Sequence, residues 1–393
     1  MSVKEDILAA VDGEWIAAAA LRLVQIPSLT MEEEEVCRCF EEQLRQLGLA
    51  VDVREVTPGR SNLYARIPGS GEGPGLIFNG HLDTIPVGNC PPCRREGDLI
   101  YGRGSTDMKG GMAAMLGAAR ALLASGARLQ RDLVLSAVVG HEEPEADKDG
   151  PKAFIEDLNS GRVQGDRIVI VEGRDALWVM SMGSMIFTIE LESDRGGQHT
   201  QYVPFAENPI RHVGDLIRRI HQLQEEMDAG ELHPLAGAER IDLGIVNAGD
   251  YFNRTPQFSS LTGSLRWAPG KTAAEALAGL EALALPFARA GGLKLGVSME
   301  LEREPFETPQ DDPLVQAVAQ AHVQVTGTQA EYIGMRIVGD ANLYVHGTGV
   351  PTIYYGPSNE TAHADVETVS VERMKKAAQV YALAALEYCG LQG

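Results

Sequence analysis

Five short segments of this chain hold side chains that could do chemistry. In "IFNGHLDT", residues 77–84, an apolar run ends in His81 and Asp83. Residues two apart on a strand face the same side, so both can enter one cleft. A metal-binding histidine commonly passes its other ring N–H to a carboxylate, and Asp83 is placed for that role. Taken alone, H-x-D equally describes a polar strand end. "YGRGSTDMKGG", residues 101–111, sets Asp107 among glycines, which permit close backbone approach or unusual dihedrals. It is not a phosphate loop. G-x-x-x-x-G-K-[ST] is absent, and after Gly102-x-Gly104 the third glycine of a dinucleotide fingerprint is replaced by Asp107. "VVGHEEPEAD" sets Glu142 beside Glu143 at the end of another apolar run. If one of these binds a metal, its neighbour can act as base on water. "VEGRD" supplies Glu172, and "ETAHADVE" supplies His363.

Counted as a set, Asp107, Glu143 and Glu172 with neutral His81 and His363 would leave two divalent cations one net positive charge. A single hydroxide balances it. Every donor is nitrogen or oxygen and none is a thiolate, which suits zinc, cobalt or manganese at a hydrolytic two-metal site.

The elements that must position these groups are legible around them. Residues 4–25 read as one amphipathic helix. Thr30 and Glu33 read as a T-x-x-E capping box that opens a helix through about Leu47. "GLAVDVREV" and "SNLYARIPG" read as strands. "GLIFNGHLD", "DLVLSAVVGHEE" and "DRIVIVEG" read as buried strands, each ending in charge, and "VPTIYYGP" as a fourth. "MKGGMAAMLGAARALLASG" reads as a small-residue helix suited to close packing on a sheet. In α/β sheets ligands sit at the carboxyl ends of strands. The middle of the chain instead orders its elements β-α-β-β-α-β, the ferredoxin-like split unit. The expected division is an α/β domain of residues 1–179 and 305–393, with an inserted domain at 180–304.

Bulk properties narrow the function classes. A length of 393 residues favours two domains. The chain has 34 basic against 55 acidic residues, a net charge of −21, which disfavours nucleic acid and anionic membranes as partners. The N-terminal residues lack a signal-peptide layout, and no apolar run reaches spanning length. Five scattered cysteines fit a reducing, cytoplasmic setting. Cys90 and Cys93 form a C-x-x-C in a Pro-rich loop without the context of a redox or zinc motif, and read as inert thiols.

The motifs "NGHLDTIPVG", "YGRGSTDMKGG", "GHEEPE", "VEG", "HTQYVPFAENPI" and "YGPSNETAHADVETVSV" together resemble the M20 family of co-catalytic metallopeptidases and deacylases, over nearly the whole chain. The resemblance implies a zinc-peptidase-like α/β domain of mixed sheet and an inserted lid that commonly also joins two copies. It implies one metal held by His81, Asp107 and Glu172, and another by Asp107, Glu143 and His363. Zinc is the expected metal, with cobalt or manganese as alternatives. Glu142 would be general base and then acid, and Asp83 would orient His81. The peptide after Asp107 would be cis. His199 would stabilise the oxyanion, often across a dimer, and Asn253 and Arg266 would contact the carboxylate side of the substrate.

Three departures stand out. His141 replaces an aspartate before the glutamate pair, and Pro144-Glu145 follows it where glycine is common. "MRIVGDAN" replaces a Gly/Thr-rich segment, so Arg336 and Val338 stand where Gly and Thr are usual, and Asn342 where a substrate-binding arginine often sits. Arg336 and Asn342 are therefore candidate substrate contacts, and Arg254 is an alternative. The expected reaction is hydrolysis of an amide bond in a small N-acyl-amino-acid or peptide-like substrate. Carboxypeptidase or dipeptidase activity, or attack on a non-peptide C–N bond, are the alternatives.

Overall fold

Burial accounts for the first layer of the fold. Leu133–Val138, Leu76–His81, Arg167–Ile170 and Thr352–Tyr354 are strands buried along nearly every residue. Buried on both faces, such strands carry continuous apolar runs, as parallel strands do. In this computed structural model, which describes residues 2–392, the four lie side by side in that order and all pair parallel. Arg60–Ile67 adds antiparallel beside Leu133–Val138, and Val51–Thr57 beside Arg60–Ile67. At the other side, Tyr354 pairs antiparallel with Trp178 at the start of strand Leu177–Ser181. The sheet is mixed, with a parallel centre. Four parallel neighbours put their carboxyl ends on one edge, so His81, Glu142, Glu172 and His363 all leave the sheet in the same direction.

The chain divides into two compact units. One comprises Met1–Val179, Thr308–Ile333 and Leu343–Gly393; the other comprises Met180–Glu307 and Gly334–Asn342. In the first, helix Gly110–Ser125 packs against helices Val3–Ala10, Gly13–Val24 and Val371–Cys389. Gly117 permits this, because a Cβ there would stand 2.5 Å from Ile16 Cγ1 of the second of these helices. Gly111 serves the other side, beside strand Arg167–Ile170, where a Cβ would stand 1.7 Å from the Val171 carbonyl oxygen. In the second unit a four-stranded antiparallel sheet runs Arg240–Ala248, Phe258–Trp267, Gly183–Glu192, Lys294–Arg303. Helices Pro209–Ala229 and Ala273–Gly291 contribute Val213, Leu216, Ile220, Leu280 and Ala284 to the core on the sheet that also holds Phe187, Leu261 and Trp267. The chain order is β-α-β-β-α-β, as the pattern of apolar runs predicts.

Two local expectations fail. Residues 4–25 form two helices, Val3–Ala10 and Gly13–Val24, not one. The cause is Asp12, whose carboxylate accepts the N–H groups of Glu14 and Trp15 and starts a new helix there. The Thr30–Glu33 capping box does not form. The helix is Glu34–Gln46, and Glu33 at its N-cap makes no side-chain cap bond. Both side chains have stronger partners. Glu33 is fully buried against Arg60, and Thr30 Oγ1 donates to Asp83 Oδ2 at 2.7 Å.

Candidate metal centre

At the carboxyl edge of the parallel strands, one carboxylate stands between two imidazoles. Asp107 Oδ1 lies 3.1 Å from His81 Nε2, and Asp107 Oδ2 lies 3.2 Å from His363 Nε2. Glu142 Oε2 approaches the same His363 nitrogen at 3.4 Å. One ligand atom from each of His81, Asp107 and Glu142 falls within 4.8 Å of the others. Asp107 comes from an irregular turn, Ser105–Lys109, whose Asp107–Met108 peptide is cis, the conformation the family resemblance implies. His363 has φ +60°, a left-handed conformation uncommon for a residue with a side chain, within an exposed loop.

The surroundings hold the cluster from below. His81 Nδ1 contacts the Asp83 carbonyl oxygen at 3.0 Å, whereas Asp83 Oδ1 stands 3.6 Å away. Asp83 therefore holds the ring chiefly through its backbone. Its buried Oδ1 has no hydrogen-bond partner among the described residues. Its Oδ2 accepts from Thr30 Oγ1 and, at 2.8 Å, from the Glu142 N–H. Thr30 Oγ1 in turn accepts the Glu143 N–H at 3.2 Å. Glu33 Oε1 accepts the Gly140 N–H at 3.0 Å and faces Arg60, which also pairs with Asp149. The turn bearing the glutamate pair is thus fastened by Asp83, Thr30 and Glu33. His141 lies flat on His81, with ring centroids 4.2 Å apart and planes 14° apart.

Charge in the cluster is mutually compensated. Burial disfavours charge on His81, but the hydrogen bond to Asp107 and the nearby Glu142 outweigh it and hold its pKa well above the usual range. His363 is raised to about 10 by its bonds to Asp107 and Glu142. Asp107 is desolvated, yet the two histidines keep it far below the ordinary carboxylate range. Glu172 is pushed up to about 7, by burial first and then by Asp107. These shifts share one cause: the carboxylates crowded into the cluster favour positive charge beside them. An all-N/O donor set, a carboxylate with each oxygen aimed at a different imidazole, and an orphaned buried Asp83 oxygen fit divalent cations.

Other expected residues sit elsewhere. Glu143 is held by its backbone, and its carboxylate is not one of the oxygens in the tight group around Asp107. Within the second unit, His199 Nδ1 accepts the Gln201 N–H at 3.2 Å, and the Asn253 amide stands 3.2 Å from Nε2. Arg266 Nη1 donates to the Arg336 carbonyl, and Arg336 Nε to the Ala236 carbonyl. Neither guanidinium has a carboxylate partner among the ion pairs of the described residues. Asn342 is fully buried: its oxygen accepts the Gly339 N–H, and its nitrogen donates to the carbonyls of Met182 and Glu304. The site roles of Thr30, Glu33 and Arg60 escape the sequence, because their partners lie 27 to 113 positions away and no local spacing announces them.

The sequence profile of Peptidase family M20/M25/M40 matches residues 77–387. The succinyl-diaminopimelate desuccinylase of Methylocella silvestris is 28% identical over 386 residues, covering 92% of this chain and 94% of that protein. Among solved structures, aminopeptidase PepT from Bacillus cereus superposes with a TM-score of 0.77 at 19% identity, over 96% of this chain and 99% of that one. A dinuclear metal binding peptidase of Bacillus subtilis superposes with a TM-score of 0.71 at 16% identity, over 95% and 97%.

Proposed function

This chain belongs to peptidase family M20/M25/M40 and is an amide hydrolase, and from that premise we propose that it removes the acyl group from a small N-acyl amino acid with the help of two divalent cations, zinc first among them. The observation that carries the reading is Asp107 standing between His81 and His363, with Glu142 beside them. His81, Asp107 and Glu172 would hold one cation, and Asp107, Glu143 and His363 the other. Bound there, the cations supply Lewis acidity toward the scissile carbonyl and toward water. Glu142 Oε2 takes the proton of the attacking water and delivers it to the leaving nitrogen. Asp83 and Thr30 hold the Glu142–Glu143 turn so that the base and the ligand keep separate places. His199 donates to the developing oxyanion, with Asn253 beside it.

The substrate class is supported by the desuccinylase relative and by Arg266 and Arg336, whose guanidinium groups suit a carboxylate. Asn342, whose amide is taken up by Gly339, Met182 and Glu304, supports the fold of its segment. A panel of N-succinyl and N-acetyl amino acids, dipeptides and tripeptides, each with zinc, cobalt and manganese, tests this directly. Faster turnover of N-acyl amino acids than of any peptide is expected, and preference for a peptide overturns the deacylase assignment.

The homodimer is proposed through the second unit, where Ile245 and Val246 are exposed on the sheet-edge strand Arg240–Ala248. A monomer mass in sedimentation would refute it. The described residues include no helix long and apolar enough to cross a membrane, and all five cysteines are free, which supports a cytoplasmic setting.

Metal uptake should depend on pH in a definite direction. Imidazole binds a cation only when neutral, and His81 and His363 carry protons at neutral pH in the metal-free protein. Glu172, at about 7, is then half protonated. Loading both sites at pH 7 should release roughly two to three protons per chain. Calorimetry in buffers of different ionisation heat counts them, and a count of zero contradicts this ligand set. The stability of the metal-free protein follows the same groups. His363 is raised above its unfolded value, so its contribution is complete below about 6.5 and is lost as pH climbs through about 10. Glu172 is raised as well, so its protonated form favours folding below about 4.5, and that contribution fades as pH rises through about 7. Metal-free protein should therefore melt progressively lower as pH rises across this window, and loading with zinc should remove the trend.

A further inference from the structure

Glu367 follows His363 by four residues and is fully buried. Its Oε1 accepts the backbone N–H groups of Thr106 at 2.9 Å and Asp107 at 3.0 Å. Its Oε2 accepts the Gly104 N–H at 3.1 Å and pairs with Arg103 Nη1 at 2.7 Å. Its own carbonyl accepts the Gly102 N–H at 3.1 Å. One residue thus fastens the whole turn that presents Asp107. A buried carboxylate is tolerated only when its lone pairs are satisfied, and here backbone donors and one guanidinium satisfy them.

The same residue belongs to the loop that presents His363. That loop is closed on itself by Thr361, whose Oγ1 accepts the Thr368 N–H at 3.0 Å and donates to the Thr368 carbonyl at 3.1 Å. Thr106 Oγ1 donates to that same carbonyl, and a strand pairing of Thr368 with Tyr101 extends the seam. Asp107 and His363 therefore sit on two loops joined by Glu367, although 256 positions separate them in the chain, as their numbering gives.

We propose that Glu367 is a positioning residue for the metal centre: by clamping residues 102–107 onto the His363 loop, it sets the separation of Asp107 and His363 and hence the affinity for the cation they share. This rests on the reading of those two residues as ligands. Ligating groups need support to within a fraction of an ångström, and loss of an outer partner typically costs about 10- to 100-fold in metal affinity.

The test is Glu367→Gln, nearly isosteric. However the amide turns, its nitrogen faces backbone N–H groups it cannot accept from. Cobalt affinity is read by chelator competition, and coordination by the visible spectrum of the cobalt-loaded protein. The expected result is affinity lower by about 10- to 100-fold, a changed cobalt spectrum, and a lower kcat with KM within about twofold of wild type. Arg103→Gln removes the ion pair but leaves the three N–H bonds, and should lower the melting temperature while keeping cobalt affinity. If Glu367→Gln melts lower yet binds cobalt with wild-type affinity and spectrum, Glu367 is only structural and the proposal is overturned. Should Glu367→Gln fail to fold, Glu367→Asp keeps the charge on a shorter arm; reduced cobalt affinity supports the proposal and wild-type affinity overturns it. Absence of cobalt binding by the wild-type protein would instead refute the ligand assignment itself.

Discussion

Glu142→Gln should keep two metals per chain and lose turnover by about 10³-fold or more, with KM little changed. A positioned general acid–base contributes about 10² to 10⁴ in rate, and in the proposed reaction one carboxylate serves in both directions of proton transfer. A 10³-fold loss corresponds to about 4 kcal/mol of transition-state stabilisation. The substitution is informative because Glu142, rather than Glu143, stands close to Asp107 and His363. If Glu142 were itself a ligand, Glu142→Gln would strip metal along with activity. Glu143→Gln is the counterpart and should lose metal first. Metal content by mass spectrometry, measured beside kcat and KM, separates the two roles. Full activity in Glu142→Gln would remove it from the mechanism.

Asp107→Ala is the other change of large effect. Its two oxygens address two different imidazoles, so it is the one carboxylate shared by both proposed cation sites. Removing it leaves His81 and His363 without their common partner and should empty both sites, taking activity to background. His81→Ala, by contrast, should weaken one site and leave the other measurable. Groups that act as a unit are not additive, so the double variant Asp107→Ala/His81→Ala should be no worse than Asp107→Ala alone. The measurement is metal stoichiometry after dialysis against a defined free zinc concentration. If Asp107→Ala retained both cations, Asp107 could not be their bridge.

These effects concern a site built from distant parts of the chain, which governs how much of it could be read in advance. The buried strands that lead to His81, Glu142 and Glu172 are legible, because a strand covered on both faces must be apolar along its length and change character where it leaves the sheet. The β-α-β-β-α-β order of the second unit is legible for the same reason of periodicity. Where local spacing was trusted beyond its reach, it misled. Thr30 and Glu33 have the spacing of a helix cap, yet Thr30 bonds Asp83 and the Glu143 backbone, and Glu33 is buried against Arg60. A capping bond at a helix end is worth about 1 kcal/mol, and a buried, charge-assisted bidentate pair outcompetes it.

Asn342 makes the complementary point. Its place in an altered motif suggests substrate, but its amide is occupied by Gly339, Met182 and Glu304. Arg266 and Arg336 keep guanidinium donors without a carboxylate partner among the described residues, which no sequence pattern reveals.

By itself the sequence determined the donor inventory, the strand ends that carry it and the family, because residue type and hydrophobic period are local properties. Only the tertiary structure decided which donors meet. It set Asp107 between His81 and His363, brought Glu142 rather than Glu143 into that group, and closed Glu367 beneath the Asp107 turn. The physical reason is that these contacts join loops far apart in the chain, and their distances are fixed by the pairing order of the parallel strands and by buried hydrogen bonds between loops, neither of which leaves a periodic mark in the sequence.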